Sequence, residues 1–128
     1  MSEAPEHILV VEDDDWLQLT VSNVLDHHGF RVTRVASAEK ALEVLRDDAS
    51  VTLVFTDINL AGRSTGVDLY RRIQRDWPQL PVVLTSGTPF SRPQAEAPDD
   101  TPAFLPKPYR VKELLDSIGT ALEGNRSA

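Results

Sequence analysis

Short runs that are apolar at every position alternate along this chain with stretches that are apolar on one helical face only. The run His7-Ile8-Leu9-Val10-Val11 is β-branched and stops at acids, and residues 51–56 repeat that design. A strand without a polar face is buried on both sides, so each run predicts a central strand of a parallel sheet. Residues 30–35 alternate more, the pattern of an edge or half-exposed strand. Residues 81–85 form a third buried run, with Pro81 at the first position, where a missing N–H is tolerated. Residues 103–105 make a short fifth strand.

Between these runs the apolar period becomes helical. Residues 14–28 place Leu17, Val21, Val24, Leu25 and His28 on one face, and Gly29 follows as a C-terminal stop. Ser37 is the expected N-cap of a second helix whose inner stripe is Ala41, Leu42, Val44 and Leu45. Residues 66–77, ended by Pro78, make a third helix through Val67, Leu69, Tyr70 and Ile73. Residues 110–122 make the last through Val111, Leu114, Leu115, Ile118 and Leu122. Regular strand–helix alternation predicts an open parallel sheet with helices on both faces and right-handed crossovers. Residues 88–102 break the rhythm. Pro89, Pro93, Pro98 and Pro102 leave no sustained apolar period, so a short or irregular fourth helix in a mobile surface loop is expected there.

Composition narrows the class. At 128 residues and 41% hydrophobic content, the chain suffices for one domain with a core and is too short for two ordinary ones. The core is expected over residues 7–122, with flexible tails at 1–6 and 124–128 and no output domain after residue 122. The absence of cysteine excludes disulfides and thiolate metal sites and fits a reducing cytoplasm. No apolar stretch approaches the roughly 20 residues that span a bilayer, so no membrane anchor is expected. A net charge of −7 repels nucleic-acid phosphates, which argues against nucleic-acid binding by this chain alone.

Ligands of an open parallel sheet bind outside the carboxyl ends of its strands, where the chain order reverses. Four predicted strands end in reactive or polar residues: Glu12-Asp13-Asp14, Thr56-Asp57, Thr85-Ser86 and Lys107-Pro108. Singly each has a plain explanation, since acids cap helices and Thr-Ser begins turns. Together they converge on one edge. Two like charges about 4 Å apart repel by about 4 kcal/mol at an effective dielectric near 20, so clustered Glu12, Asp13 and Asp57 need a positive partner. Mg²⁺ suits such oxygen donors. Lys107 adds a mobile ammonium and Thr85 a hydroxyl. An aspartate between a cation and an ammonium is equipped to attack phosphorus and form an acyl phosphate.

These segments resemble the receiver domain family of two-component response regulators, chemotaxis-regulator-like members included. Ile8-Leu9-Val10-Val11-Glu12-Asp13-Asp14 resembles the family's acidic pair, which implies Mg²⁺ held by Glu12 and Asp13, Glu12 through a water. Val54-Phe55-Thr56-Asp57-Ile58-Asn59-Leu60 resembles its phosphorylation motif, which implies Asp57 as phospho-acceptor and metal ligand, with the Asn59 backbone carbonyl as a further ligand. Val83-Leu84-Thr85-Ser86-Gly87 resembles the switch-hydroxyl motif, and Phe104-Leu105-Pro106-Lys107-Pro108-Tyr109 the aromatic and lysine-proline motif with its cis bond. The resemblance runs from about residue 7 to residue 122. It implies a flavodoxin-like, doubly wound five-stranded sheet of order 2-1-3-4-5. It further implies a histidine kinase or phosphotransfer protein as donor, Thr85 and Phe104 as switch residues, and a downstream protein partner.

Some positions depart from the family. Ala61 stands in place of a usual proline, the loop after Asp57 is longer by about one residue, Ser86 replaces the commoner alanine, and Phe104 lacks a hydroxyl. Two other functions are compatible with the residues: a pseudo-receiver that binds partners without phosphorylation, and a small aspartyl-phosphate phosphatase. Asn59, where such phosphatases carry a second acid, argues against the latter. His27 and His28 are read as solvent-facing or structural at a helix end. Trp16 is expected on the surface beside the acidic pocket, Trp77 as the closure of a helix end, and Arg71, Arg72 and Arg75 as a solvated face.

Overall fold

The computed structural model describes residues 5–60, 64–87 and 103–127. Five strands, β1 (His7–Val11), β2 (Arg31–Val35), β3 (Leu53–Asp57), β4 (Val82–Ser86) and β5 (Ala103–Pro106), form one sheet. Every neighbouring pair is parallel and the order is β2-β1-β3-β4-β5, as the resemblance implies. The three apolar-rich runs are the central strands and are buried throughout, whereas β2 at the edge is exposed or half-buried along its length.

Four helices cover the sheet: α1 (Asp15–His27), α2 (Ala38–Asp47), α3 (Gly66–Asp76) and α4 (Val111–Ser127). Side chains alternate across each strand, so successive residues feed opposite layers. Leu9, Val11, Val54 and Leu84 face one way and pack with Ala41 and Leu45 of α2 and Leu69 and Ile73 of α3. Ile8, Val10, Phe55 and Val83 face the other way and pack with Val21 and Leu25 of α1 and Leu114 and Ile118 of α4. Burying each such side chain stabilises the fold by about 1.5–3 kcal/mol.

The helix ends follow the expected chemistry. Asp14, Ser37 and Thr65 are the N-caps of α1, α2 and α3, each accepting a backbone N–H with its side chain. At Thr65 the Asp68 carboxylate returns the bond and completes a capping box. Gly29 after α1 has φ +91, a left-handed conformation that glycine adopts without strain. Trp77 closes α3, as expected.

Two stripe assignments change. His28 is exposed rather than on the inner face, because it sits at the C-cap of α1 with a ring nitrogen 2.9 Å from the Val24 carbonyl oxygen. Val111 is 48% exposed: as the first residue of α4 it precedes the first residue of that helix to reach the sheet core, Leu114. The expected short helix of residues 88–102, its prolines and the loop residues 61–63 lie outside the described residues.

Candidate functional site

Strand pairing brings the acids together. Val11 pairs with Thr56, so the residues that follow them, Glu12 and Asp57, emerge side by side. They do so where the chain order reverses, between β1 and β3. Glu12, Asp13 and Asp57 each offer a carboxylate oxygen within 4.8 Å of the others. Glu12 and Asp57 are buried and Asp13 is exposed. The Lys107 ammonium reaches into the cluster from beyond β5, donating to Asp57 Oδ2 at 2.8 Å and to Glu12 Oε1 at 3.3 Å. Its backbone N–H bonds the Ser86 carbonyl at 2.9 Å, and the Lys107-Pro108 peptide is cis.

Each carboxylate is held by backbone donors as well. Asp57 Oδ1 accepts the Asn59 N–H at 3.0 Å, and the Asn59 amide nitrogen donates to the Ser86 hydroxyl at 3.1 Å. Glu12 Oε2 accepts the Asp14 N–H at 3.1 Å. The acidic run therefore divides its labour: Asp14 caps α1, while Glu12 and Asp13 join Asp57. Burial, followed by the charge of Asp57, pushes the Glu12 carboxyl up to about 7, against the opposing pull of the Asp14 N–H and Lys107. Burial alone would lower the Lys107 pKa, but the bonds and charges of Asp57 and Glu12 outweigh it and hold the ammonium above its ordinary value.

The expected switch residues are close by but differently engaged. Thr85 pairs with Asp57 across the β3–β4 ladder, yet its hydroxyl donates to the Leu105 carbonyl at 2.6 Å. Phe104 is half-buried and packs on the layer of α2 and α3. Trp16, 71% exposed, stands in the first turn of α1, just beyond the acidic pocket. Arg71 and Arg75 are exposed, and Arg72 and Arg75 share Asp76, which fits a solvated face.

Sequence reasoning missed three supports. The Gln18 side-chain amide donates to the carbonyls of both Glu12 and Val35 at 2.9 Å, tying the ends of β1 and β2. Its signal was a polar residue on the inner side of the first turns of α1. Gly66 does more than start a helix: a β-carbon there would overlap the Asp57 carbonyl oxygen and come within 2.8 Å of Ile58 Cα. His7 is fully buried at the opposite end of β1, its ring 2.9 Å from Ser50 Oγ and 2.7 Å from Thr33 Oγ1.

The donor set suits a hard divalent cation. Three carboxylates converge without an imidazole or sulfur donor among them, the preference of Mg²⁺ rather than Zn²⁺. With Lys107 alongside, the rim combines a buried carboxylate, further oxygen donors and an ammonium, a set compatible with phosphoryl transfer to an aspartate.

The response regulator receiver domain family matches residues 8–119. The two-component response regulator ORR3 of Oryza sativa subsp. japonica is 34% identical over 88% of this chain and 87% of its own length. The regulatory protein VirG of Agrobacterium tumefaciens is 30% identical over 94% of this chain, which spans only 45% of VirG. Among solved structures, a response regulator receiver protein from Sinorhizobium medicae WSM419 superposes with TM-score 0.85 at 29% identity, covering 97% of this chain and 99% of that one.

Proposed function

Since this chain belongs to the response regulator receiver domain family, we propose that Asp57 accepts a phosphoryl group from a phosphohistidine of a histidine kinase or phosphotransfer protein. The observation that carries this reading is the Lys107 ammonium seated between the buried carboxylates of Asp57 and Glu12. In the transfer, an Asp57 oxygen forms a bond to phosphorus as the histidine N–P bond breaks, and the imidazole leaves with the electron pair. Glu12 and Asp13, with an oxygen of Asp57 and the Asn59 carbonyl, would hold Mg²⁺, which when bound offsets charge on the phosphoryl oxygens.

The chain's own residues supply the rest. The Asn59 N–H keeps one Asp57 oxygen oriented, leaving the other against the mobile lysine. The acyl phosphate carries a charge of roughly −1.5 to −2 in place of the single carboxylate charge of Asp57, and Lys107 turns toward it. Thr85 then exchanges the Leu105 carbonyl for a phosphoryl oxygen, and Phe104 follows the space that Thr85 vacates. The changed surface is read by a protein partner. The chemistry is confined to the chain's own phosphorylation and dephosphorylation, and the absence of cysteine suits work in the cytoplasm.

Incubation with Mg²⁺ and a small acyl-type phosphodonor, followed by intact-mass measurement, tests this reading. The wild type should gain one phosphate and Asp57→Asn none. Rapid turnover of unrelated phosphate esters would instead identify a phosphatase, and a wild type that takes no phosphate would identify an interaction module only.

A further inference from the structure

Tyr109 closes the lysine-proline segment, and the proposed chemistry gives it no work. Its ring packs edge-on against Phe55, with centroids 6.1 Å apart at 86°, two residues before Asp57 on β3. Its hydroxyl oxygen is buried and, among the described residues, has no hydrogen-bond partner. A buried unpaired hydroxyl destabilises a fold by about 1–3 kcal/mol, so such a group commonly marks an ordered water or a functional role. Burial, then the charges of Glu12 and Asp57, keep it a neutral phenol and therefore a donor. Asp57 already accepts the Asn59 N–H on one oxygen and the Lys107 ammonium on the other. Glu12 is less well served: one oxygen has the Asp14 N–H, and the other has only the 3.3 Å contact with Lys107. Lys107 is the group that turns away when a phosphoryl group arrives. Apart from the cation it would hold, Glu12 then keeps a single donor, the Asp14 N–H.

We propose that Tyr109 is a positioning residue for Glu12, its phenol donating through one buried water to the Glu12 carboxylate and holding it in the orientation that binds Mg²⁺. The inference rests on the receiver reading above. A buried water needs at least two polar partners, and the phenol and carboxylate supply a donor and an acceptor. Outer-shell donors of this kind orient first-shell ligands and support metal affinity.

Tyr109→Phe removes the oxygen and leaves the ring against Phe55. Mg²⁺ affinity of the unphosphorylated variant, measured by calorimetry, should fall by about tenfold, the lower end for outer-shell partners. The phosphorylation rate at saturating Mg²⁺ should stay within twofold of wild type, while the Mg²⁺ concentration giving half that rate rises. In a Glu12→Gln background the same substitution should have no further effect on Mg²⁺ affinity. Unchanged affinity on Tyr109→Phe, or an equal loss in the Glu12→Gln background, overturns the proposal. Should the variant not fold, NMR of the wild type decides: a phenol proton with a cross-peak to a long-lived water supports the bridge, and its absence removes it. A wild type that accepts no phosphate sinks the receiver reading itself, whereas one that does, alongside an unaffected Tyr109→Phe, sinks only this inference.

Discussion

At the scale of single residues, the site is a balance of charges that no member holds alone. Lys107 is the only cation bonded to Asp57 and Glu12 among the described residues, and it restrains the upward shift that burial imposes on Glu12. In Lys107→Ala that restraint is gone. Carboxyl-detected NMR titration of the metal-free protein should place Glu12 of the wild type at about 7 and that of the variant higher still. The variant should fold and yet fail to couple phosphorylation to partner binding, and a partner response equal to wild type would remove Lys107 from the switch. The acids, the lysine and the threonine were all legible in the chain, because each stands at the end of a strand or just beyond it, where the apolar run stops. The direction of the Thr85 hydroxyl was not. It depends on a carbonyl of β5, Leu105, that reaches it only through strand pairing. Gln18 escaped notice for the same reason, since its two acceptors lie at the ends of two different strands.

At the scale of elements, α3 is set against the phosphorylation strand more tightly than its sequence suggested. The Gly66 N–H donates to the Ile58 carbonyl at 2.8 Å, which brings the first turn of α3 onto the backbone that carries Asp57. A methyl group at this position has no room, and the atoms in its way are backbone. Gly66→Ala should destabilise the fold by about 1–3 kcal/mol through overpacking. It should also slow adduct formation on Asp57 by more than the loss of folded protein explains, because the strand end must shift. Thr65→Ala serves as the comparison: it removes the cap of the same helix at a cost of about 1 kcal/mol without crowding β3. Urea unfolding and the phosphorylation rate, measured together on both variants, separate the effects; equal rates would mean that the close approach does not position Asp57. Stripe periodicity predicted which helices exist and which face is apolar, but not where each stripe meets the sheet. Val111 obeys the period and still faces solvent, because periodicity encodes direction around an axis and says nothing about what lies opposite.

At the scale of the whole molecule, the two ends of the sheet respond to pH in opposite senses. Glu12, raised from its ordinary 4.5 to about 7, favours the native state where that state holds the extra proton. Its contribution is complete below pH 4.5 and is lost as pH rises through 7. His7 lies below its ordinary 6.5, chiefly through burial and then the Arg31 charge, and it contributes stability above pH 6.5 that is lost on acidification. Ser50 donates its hydroxyl to Asp48 at 2.6 Å, so Nδ1 donates to Ser50, and in the neutral ring that burial favours, Nε2 accepts from Thr33. Without metal the two slopes oppose one another between about pH 4.5 and 6.5. In the proposed site Mg²⁺ would bind ionised Glu12 and compete with its proton, which would make metal stabilisation a function of pH. Urea midpoints should therefore rise on adding Mg²⁺ at about pH 7.5 and change little at about pH 5.5. With Mg²⁺ present, loss of the metal and protonation of His7 should both contribute to the acid sensitivity, and the His7 part should be reduced in His7→Gln. An equal effect of Mg²⁺ at both pH values would show that Glu12 is already ionised without it, and would place the origin of its burial shift in a geometry the metal-free protein does not keep.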